Sequence, residues 1–399
     1  MIDHYSECLP VFDAIAARGI PIRDPEAVTQ WARSTLHDKF SSFQTRYPGT
    51  VVGVTRPQWI PQEQWDSYTA MGVITPALNP TKCKALWALF GYPTPTPAFT
   101  GTVSDLERLA EYDGESEFAG AVYSLLKARL RLAGLCGSWL QSYRGGRLYY
   151  GSLYPMGCRT TGRCAPRPSD GFLPAMGREV CAALLCPCPG REIHILDYRA
   201  QGLCIMAGLS GDPAMMALAR AKKDPYLGLG KILGVVPSDE YNSMDVCELK
   251  AKYSAERDKM KKMLLAYQYG AGARRLEGLT GIRGIKAGLD GLFKRFVVWK
   301  KSLGQEYTLP DGFTATGASP SVTAVQGTDA YILRRLVTEL VLPEGAEIIA
   351  TNHDCVWVEC PCSTDPAPMA HQMETIADSV VGVDGLFRVS VDTIRGQNP

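Results

Sequence analysis

The chain has 399 residues, of which 46% are apolar, and this combination predicts a globular protein with a large interior. Its 42 Lys and Arg residues balance 41 Asp and Glu residues, so the net charge of +1 neither indicates nor excludes a nucleic-acid partner. The composition excludes a disordered or fibrous chain. No window has the apolar length of a membrane-spanning helix and the first residues lack a secretory pattern, so we expect a cytoplasmic protein without a membrane partner.

The cysteines predict reduced, mostly buried thiols. Thirteen is an odd number, and the chain shows no sign of secretion, so a disulfide framework is not expected. Two short pairs, Cys186-Pro187-Cys188 and Cys360-Pro361-Cys362, could supply four thiolates to zinc. Because their spacing differs from the usual C-x-x-C of zinc sites, we favour unrelated buried residues.

Hydrophobic periodicity predicts helices and loops in the first part of the chain. Two helices are expected between residues 5 and 46, separated by a turn at Gly19-Ile20-Pro21. Residues 47–104 are rich in Pro, Thr and Gly and are predicted to be loops with short elements. A helical pattern follows over 106–140, and the alternating aromatic run at 148–154 predicts a strand.

The remainder of the chain predicts short strands among helices. An apolar strand over 192–196 ends at Asp197, and strands over 347–350 and 355–359 flank a hairpin turn at Asn352-His353-Asp354. A last strand is expected at 387–391. Helical periodicity covers the segments 202–208, 214–221, 243–276, 322–340 and 365–381.

Two acidic residues occupy positions suited to metal ions. Asp197 ends the strand EIHIL, and Asp354 lies at the tip of the hairpin EIIATNHDCVWVE. Phosphoryl transfer from a nucleoside triphosphate requires two divalent cations, which carboxylates on rigid neighbouring elements can hold. Either residue alone is more often a turn residue or a helix cap, so the context of each has to decide.

A row of side chains suggests a phosphate-binding helix face. Arg257, Lys261, Leu265 and Tyr269-Gly270 recur every four residues and therefore lie along one side of a helix. That side would present two cations to a triphosphate. By itself, a solvated basic face on a long helix explains the spacing equally well.

These segments together resemble the polymerase module of family A DNA polymerases. The sequence HILDYRAQGLCIMAGLSGD around Asp197 resembles motif A, in which an Asp-Tyr precedes a helix that closes with Leu-Ser-x-Asp. The turn Asn352-His353-Asp354-Cys355 resembles motif C, and the spacing from Arg257 to Gly270 matches motif B. Thr160-Thr161-Gly162-Arg163 and Gln326-Gly327-Thr328 resemble the Gly-Arg and Gln-Gly-Thr segments of the family.

The resemblance covers about residues 5–395 and implies an α+β, right-hand polymerase fold with a helical thumb, an antiparallel-sheet palm and helical fingers. It implies a DNA-directed DNA polymerase that extends a primer 3′-hydroxyl by two-metal catalysis with Mg²⁺, or with Mn²⁺, and without a proofreading exonuclease domain. Its partners would be DNA primer-template, nucleoside triphosphates and replication accessory proteins. The subdomains would be 1–150 (N-terminal segment and thumb), 151–212 (first palm part), 213–315 (fingers) and 316–399 (second palm part).

The same resemblance assigns roles to individual residues. Metal ions would be held by Asp197, Asp354 and the Tyr198 carbonyl. The triphosphate would be bound by Arg257 and Lys261, and Lys261 would be a catalytic residue together with the two aspartates. The remaining nucleotide-binding positions would be Leu265, Tyr269, Tyr198 and Gly202. The residues implied to contact the primer-template are Arg163, Gly270, Gln326 and His353. Arg and Gln suit the minor groove, which offers hydrogen-bond acceptors at nearly every base pair.

Three positions depart from the DNA polymerases of this family. Gly202 replaces a Glu that blocks a 2′-hydroxyl, Leu265 replaces an aromatic residue, and Cys355 replaces a Glu. Without the steric element we expect weak discrimination between ribonucleotides and deoxynucleotides. The alternative is that another side chain, such as Gln201 or Tyr198, fills the space and keeps the enzyme selective for deoxynucleotides.

Two other functions remain open. Single-subunit RNA polymerases also have Gly in motif A and a small polar residue after His-Asp, so a primase or RNA polymerase on the same scaffold is one alternative. The other is a non-catalytic nucleic-acid-binding replication protein. The presence of both Asp197 and Asp354 argues against it, because a binding protein needs basic residues but no paired-metal site.

Overall fold

A computed structural model describes residues 2–52, 77–89, 99, 109, 117–135, 140–150, 153–154, 157–158, 160–164, 178–317, 319–352 and 354–396. The chain divides into two compact units. The first comprises Met1–Ile22, Arg147–Pro174 and Leu185–Pro399, and the second Arg23–Gly146 and Ala175–Leu184. Within the described ranges, none of the helices is both long enough and apolar enough to cross a bilayer.

The elements are numbered in chain order. The described strands are β1 (Ile20–Pro21), β2 (Val51–Val52), β3 (Ala77–Leu78), β4 (Tyr143–Arg144), β5 (Arg147–Leu148), β6 (Arg191–Tyr198), β7 (Glu306–Thr308), β8 (Thr314–Thr316), β9 (Glu347–Asn352), β10 (Cys355–Pro361) and β11 (Val389–Arg395). The described helices are α1 (Ile2–Arg18), α2 (Pro25–Arg46), α3 (Pro80–Leu89), α4 (Glu117–Gly134), α5 (Arg178–Leu184), α6 (Gln201–Ser210), α7 (Pro213–Arg220), α8 (Pro225–Ile232), α9 (Ser238–Ser243), α10 (Val246–Lys252), α11 (Ser254–Gln268), α12 (Ala273–Thr280), α13 (Ile285–Leu292), α14 (Lys294–Ser302), α15 (Pro320–Glu339) and α16 (Ala367–Val381).

An antiparallel four-stranded sheet, in the spatial order β11-β6-β10-β9, is the centre of the first unit. The two inner strands are the most buried: β10 exposes only its last residue, and β6 has no exposed residue. Burial on both faces agrees with the mostly apolar sequence of β10, whereas β6 also buries the polar side chains of Glu192 and His194. The hairpin predicted between β9 and β10 is confirmed by their antiparallel pairing.

The long helix α15 forms the interior of this unit and contacts α1, α6 and α16. Most of its residues from Ser321 to Val337 are buried, which agrees with the helix predicted over 322–340. The helix predicted over 365–381 is confirmed as α16, which contacts β11 and α15. The Tyr198 hydroxyl donates a hydrogen bond to the Met373 carbonyl (2.7 Å) and thereby fastens β6 to α16.

Aspartate caps separate the helices that follow motif A. Asp212 accepts hydrogen bonds from the backbone N–H groups of Ala214 and Met215 at the start of α7, and its second oxygen accepts from Arg295 N–H (2.9 Å) at the start of α14. Asp224 caps α8 in the same manner. Capping removes the cost of unpaired N–H groups at helix starts, so these residues fix where each helix begins.

Two expectations about secondary structure are corrected, and a third is described only in part. The single helix predicted over 243–276 is three helices, α10 to α12. Tyr253, at φ −110° and ψ 34°, leaves helical geometry between α10 and α11, and Gly270, at φ +85°, follows the end of α11 in a conformation that favours glycine. The last strand begins at Val389 rather than 387, since the N–H groups of Leu386 and Phe387 donate to the Asp378 carboxylate. Of the strand predicted at 148–154, residues 151 and 152 lie outside the described residues, and regular pairing is described only at Leu148, in β5, which pairs with β1.

The second unit is mainly helical. Its helices α2 and α4 pack together, and α2 also contacts α5. An aromatic cluster fills the interior: Phe43, Tyr47 and Phe118 are in mutual contact, and Phe99 bridges Phe118 to Trp87. The two helices predicted around Gly19-Ile20-Pro21 are confirmed as α1 and α2.

Candidate active site

Strand pairing brings Asp197 and Asp354 together. Asp197 is the penultimate residue of β6 and pairs with Cys355, the first residue of β10, so Asp354 immediately precedes its cross-strand neighbour. The backbone N–H of Tyr198 donates to the Asp354 carbonyl at 3.2 Å. Both carboxylates are therefore carried by rigid, adjacent strand ends, which is the arrangement predicted from the two sequence segments.

The site around Asp354 has an excess of negative charge. Burial raises the pKa of the Asp354 carboxyl to about 7, and the charges of Asp197 and then Asp329 contribute in the same direction, whereas Arg163 opposes them. A carboxylate that shares a buried site with others is hard to ionise without added positive charge. Three acidic side chains thus influence one another at this end of the sheet.

Asp329 was not among the residues predicted from the sequence. It lies on α15 and is only 5% exposed. Its Oδ2 atom accepts a hydrogen bond from Arg163 Nε (2.9 Å), whereas its buried Oδ1 atom has no hydrogen-bond partner among the described residues. The sequence does offer one signal for it: Asp329 is an acidic residue within the helical stretch TAVQGTDAYILRRL. A carboxylate buried in such a helix requires a partner, which marks it as a candidate functional residue.

These groups fit divalent cations. Carboxylate oxygens are the protein ligands that Mg²⁺ prefers, and Asp354 and Asp197 offer them from neighbouring elements. The raised pKa of Asp354 and the unpartnered Oδ1 of Asp329 both indicate a site that lacks positive charge. A bound cation would relieve this repulsion.

Tyr198 faces away from the carboxylates. Its ring is buried, it contacts Phe387, and its hydroxyl is hydrogen-bonded to Met373. Successive side chains of a strand point to opposite faces, so the Tyr198 ring and the Asp197 carboxylate cannot share a face. Any contact of Tyr198 with a metal ion or nucleotide has to be made by its backbone.

The predicted cationic face lies on α11. Lys261 is exposed, Leu265 is half-buried and Tyr269, at the end of the helix, is 45% exposed. Arg257 is partly committed: its Nε donates to the buried Asp224 carboxylate at 2.8 Å. Lys261 has no ion pair within the described part of the chain, so its charge is available to a ligand.

Gly202 lies beneath a side chain of the same helical segment. A Cβ atom on Gly202 would be 3.3 Å from Gln268 Nε2 and 3.5 Å from its Oε1. Gln268 is 1% exposed, and its backbone carbonyl accepts a hydrogen bond from the Ser321 hydroxyl (3.3 Å). The side chain of Gln268 therefore packs on Gly202, whereas the Tyr198 ring is directed towards α16.

The residues expected to contact nucleic acid have different surroundings. Arg163 is paired with Asp329 and is 32% exposed, and Gln326 is half-buried on α15. Gly270 has a positive φ, so its backbone conformation is one reason for glycine at this position. His353 lies outside the described residues.

Comparison with known proteins supports the fold. The structure resembles the polymerase domain of Pol1 from M. smegmatis in complex with DNA primer-template and dNTP, with a TM-score of 0.63 and 16% sequence identity over 98% of this chain and 69% of that chain. No family model and no curated protein matches the sequence. At this identity the likeness establishes the fold, and the α+β, right-hand polymerase fold predicted from the motifs is confirmed.

Proposed function

We propose that this chain is a template-directed DNA polymerase that adds deoxynucleotides to a primer 3′-hydroxyl. The observation that carries the proposal is the convergence of Asp197 and Asp354 at adjacent strand ends, on a fold shared with a DNA polymerase domain. Primer-template DNA and nucleoside triphosphates are bound by the solved neighbour and would be the partners here. The subdomain limits expected from the motifs are part of the same proposal.

The acidic residues would bind and orient the reacting groups. Mg²⁺ ions held by Asp197 and Asp354 would supply the positive charge that activates the attacking hydroxyl and stabilises the leaving pyrophosphate. Asp354 has to lose its proton to act as a ligand, and its raised pKa of about 7 makes this step sensitive to pH. Asp329 adds a third carboxylate, which compensates in charge for Cys355, where the resembling enzymes have Glu.

The basic residues would neutralise the triphosphate. Lys261 is exposed and unpaired in the described structure, so it is the group best placed to contact phosphate oxygens as negative charge develops. Arg257 would contribute while remaining anchored to Asp224. Leu265 and Tyr269, on the same side of α11, would border the incoming nucleotide and the templating base.

The sugar preference would be relaxed. Gly202 provides no side chain of its own to exclude a 2′-hydroxyl, so steric exclusion at this position would have to come from the neighbouring Gln268 amide. Arg163 and Gln326 would contact the minor groove of the primer-template without reading its sequence. Arg163 would do so from its pairing with Asp329.

Primer extension tests the proposal. A labelled primer on a DNA template is incubated with Mg²⁺ and either deoxynucleotides or ribonucleotides, with a parallel reaction that lacks primer. Extension by the wild type and by Asp384→Ala, an exposed acidic residue, but not by Asp354→Ala, would support the polymerase. Ribonucleotide products formed without primer would instead favour a primase, and no incorporation under any condition would favour a non-catalytic binding protein.

A further inference from the structure

Three metal-ligating side chains converge on β6 and β10 away from the polymerase carboxylates. Glu192 and His194 are each 2% exposed and Cys360 is fully buried. One carboxylate oxygen, one imidazole nitrogen and the thiol sulfur all lie within 4.8 Å of one another. No residue of this trio takes part in the function proposed above.

The sheet itself determines this convergence. Glu192 and His194 are two residues apart on β6, so their side chains point to the same face. Cys360 is the cross-strand partner of Glu192, and cross-strand partners share a face. Asp197 is an odd number of residues from Glu192 and lies on the opposite face, towards the other end of the strand.

The Nε2 atom of His194 faces the other two side chains of the trio and the Thr364 carbonyl. Its Nδ1 atom is 2.9 Å from the hydroxyl of Thr393, the residue that pairs with His194 on β11. Its Nε2 atom is 3.4 Å from Glu192 Oε1 and 3.0 Å from the Thr364 carbonyl oxygen. Histidine ligands commonly donate their second ring N–H to a neighbouring acceptor, and the Thr393 hydroxyl is such an acceptor.

The buried carboxylate lacks a strong alternative partner. Glu192 Oε2 is 3.2 Å from Arg395 Nε, but the Arg395 side chain is 77% exposed, so water screens this ion pair. Buried charges in proteins are paired or bind metal ions. The thiol of Cys360 donates only a weak hydrogen bond, to the Glu192 carbonyl at 3.7 Å.

We propose that Glu192, His194 and Cys360 bind a zinc ion. A thiolate, an imidazole and a carboxylate form a ligand set that zinc accepts and magnesium does not, and a water molecule would complete the tetrahedron. On binding, the Cys360 thiol proton passes to solvent, and the imidazole proton moves from Nε2, where it faces the Thr364 carbonyl, to Nδ1, next to the Thr393 hydroxyl. The ion would join β6 to β10 at the end of the sheet remote from Asp197.

This site differs from the one that the two C-P-C pairs suggest. Of the four cysteines in those pairs, only Cys360 belongs to a metal-ligating group among the described residues. Every cysteine that the structure describes is a free thiol, so Cys360 is available as a ligand. The acidic and imidazole ligands come from β6, which the spacing of the cysteines does not reveal.

Metal analysis and cobalt spectroscopy test the zinc site. The full-length wild type is compared with Cys360→Ser, His194→Ala and the matched control Cys204→Ser, whose buried thiol likewise donates to a carbonyl group, that of Leu386. Each protein is stripped of metal, loaded with ZnCl₂ and analysed for bound zinc. In parallel it is titrated with Co²⁺, whose thiolate charge-transfer absorption reports a Co–S bond.

The expected result is one tightly bound zinc in the wild type and in Cys204→Ser, with loss of that zinc in Cys360→Ser and His194→Ala. The Co²⁺–thiolate absorption should disappear in Cys360→Ser. Absence of stoichiometric zinc from the wild type, or unchanged zinc and absorption in both trio variants, would overturn the proposal. Primer extension is measured separately, so failure of the zinc site and failure of the polymerase are distinguishable.

Discussion

The side-chain amide of Gln268 packs on the backbone of Gly202, so closely that a Cβ atom on residue 202 would lie 3.3 Å from Gln268 Nε2. This contact joins the first turn of α6, which follows Asp197, to the end of α11, which carries Lys261 and Tyr269. The space beside Gly202 is therefore bordered by a polar side chain from another helix. We therefore expect sugar selectivity at this position to depend on both residues.

Gln268→Ala is expected to weaken discrimination against ribonucleotides further. Removing the amide enlarges the space beside Gly202, and steric selectivity for a single small group is typically worth about 10-fold to 200-fold. We expect the ratio of kcat/KM for deoxynucleotide over ribonucleotide to fall by about 10-fold, measured by single-nucleotide incorporation. Gln201→Ala, at the other candidate position, serves as the control and should leave this ratio unchanged; the reverse pattern would refute the assignment.

The strands and hairpin at the site could be predicted from sequence, whereas its tertiary partners could not. Apolar runs ending in Asp197 and Asp354 define two strand ends, and antiparallel pairing then places them together. Asp329 and Gln268 reach the site through the packing of α15 and α11, and periodicity does not specify which buried polar residue meets which partner. For the same reason the spacing of Arg257 indicated a helix face but not its ion pair with Asp224.

The stability of the metal-free protein should fall as pH rises from about 4 to 7. The pKa of Asp354 is about 7 in the folded protein, against an ordinary value of 3.8, so the folded state retains a proton that the unfolded state releases in this window. A tenfold difference in proton affinity corresponds to about 1.4 kcal/mol, so the free energy of unfolding falls by at most a few kcal/mol, and the loss is complete above pH 7.

Urea unfolding at pH 5 and pH 8 in EDTA measures this effect. Asp354→Asn cannot ionise and should lose less stability than the wild type between these two pH values, while Asp384→Asn should behave as the wild type. Adding Mg²⁺ at pH 8 should stabilise the wild type more than Asp354→Asn, because the ion binds the ionised carboxylate. An identical pH dependence in the wild type and Asp354→Asn would show that Asp354 does not titrate in this range.

Lys261 and Arg257 should differ in their effects on stability. Lys261→Met removes an exposed charge without a described partner, so primer extension should fall by roughly 10²-fold with an unchanged Tm. Arg257→Met would also leave the buried Asp224 carboxylate with Lys250, 3.7 Å away, as its remaining cationic partner among the described residues, and should lower Tm as well. Lys259→Met, an exposed lysine on α11 away from this row, is the control, and equal loss of extension in all three variants would contradict a specific phosphate site.

Asp329→Asn distinguishes a carboxylate that serves the metal site from one that only anchors Arg163. Removing its charge should lower the pKa of Asp354, so the acidic limb of the pH–rate profile should move to lower pH. It should also weaken cation binding, so the Mg²⁺ concentration for half-maximal extension should rise.

Arg163→Gln also breaks the ion pair but retains the Asp329 charge. It should therefore shift the same limb to higher pH, because the positive charge of Arg163 holds the pKa of Asp354 down. If the two variants shift the Mg²⁺ requirement and the pH profile in the same direction, Asp329 acts only by holding Arg163 in position. If the shifts are opposite, the charge on Asp329 Oδ1 is one of those that the bound cations neutralise.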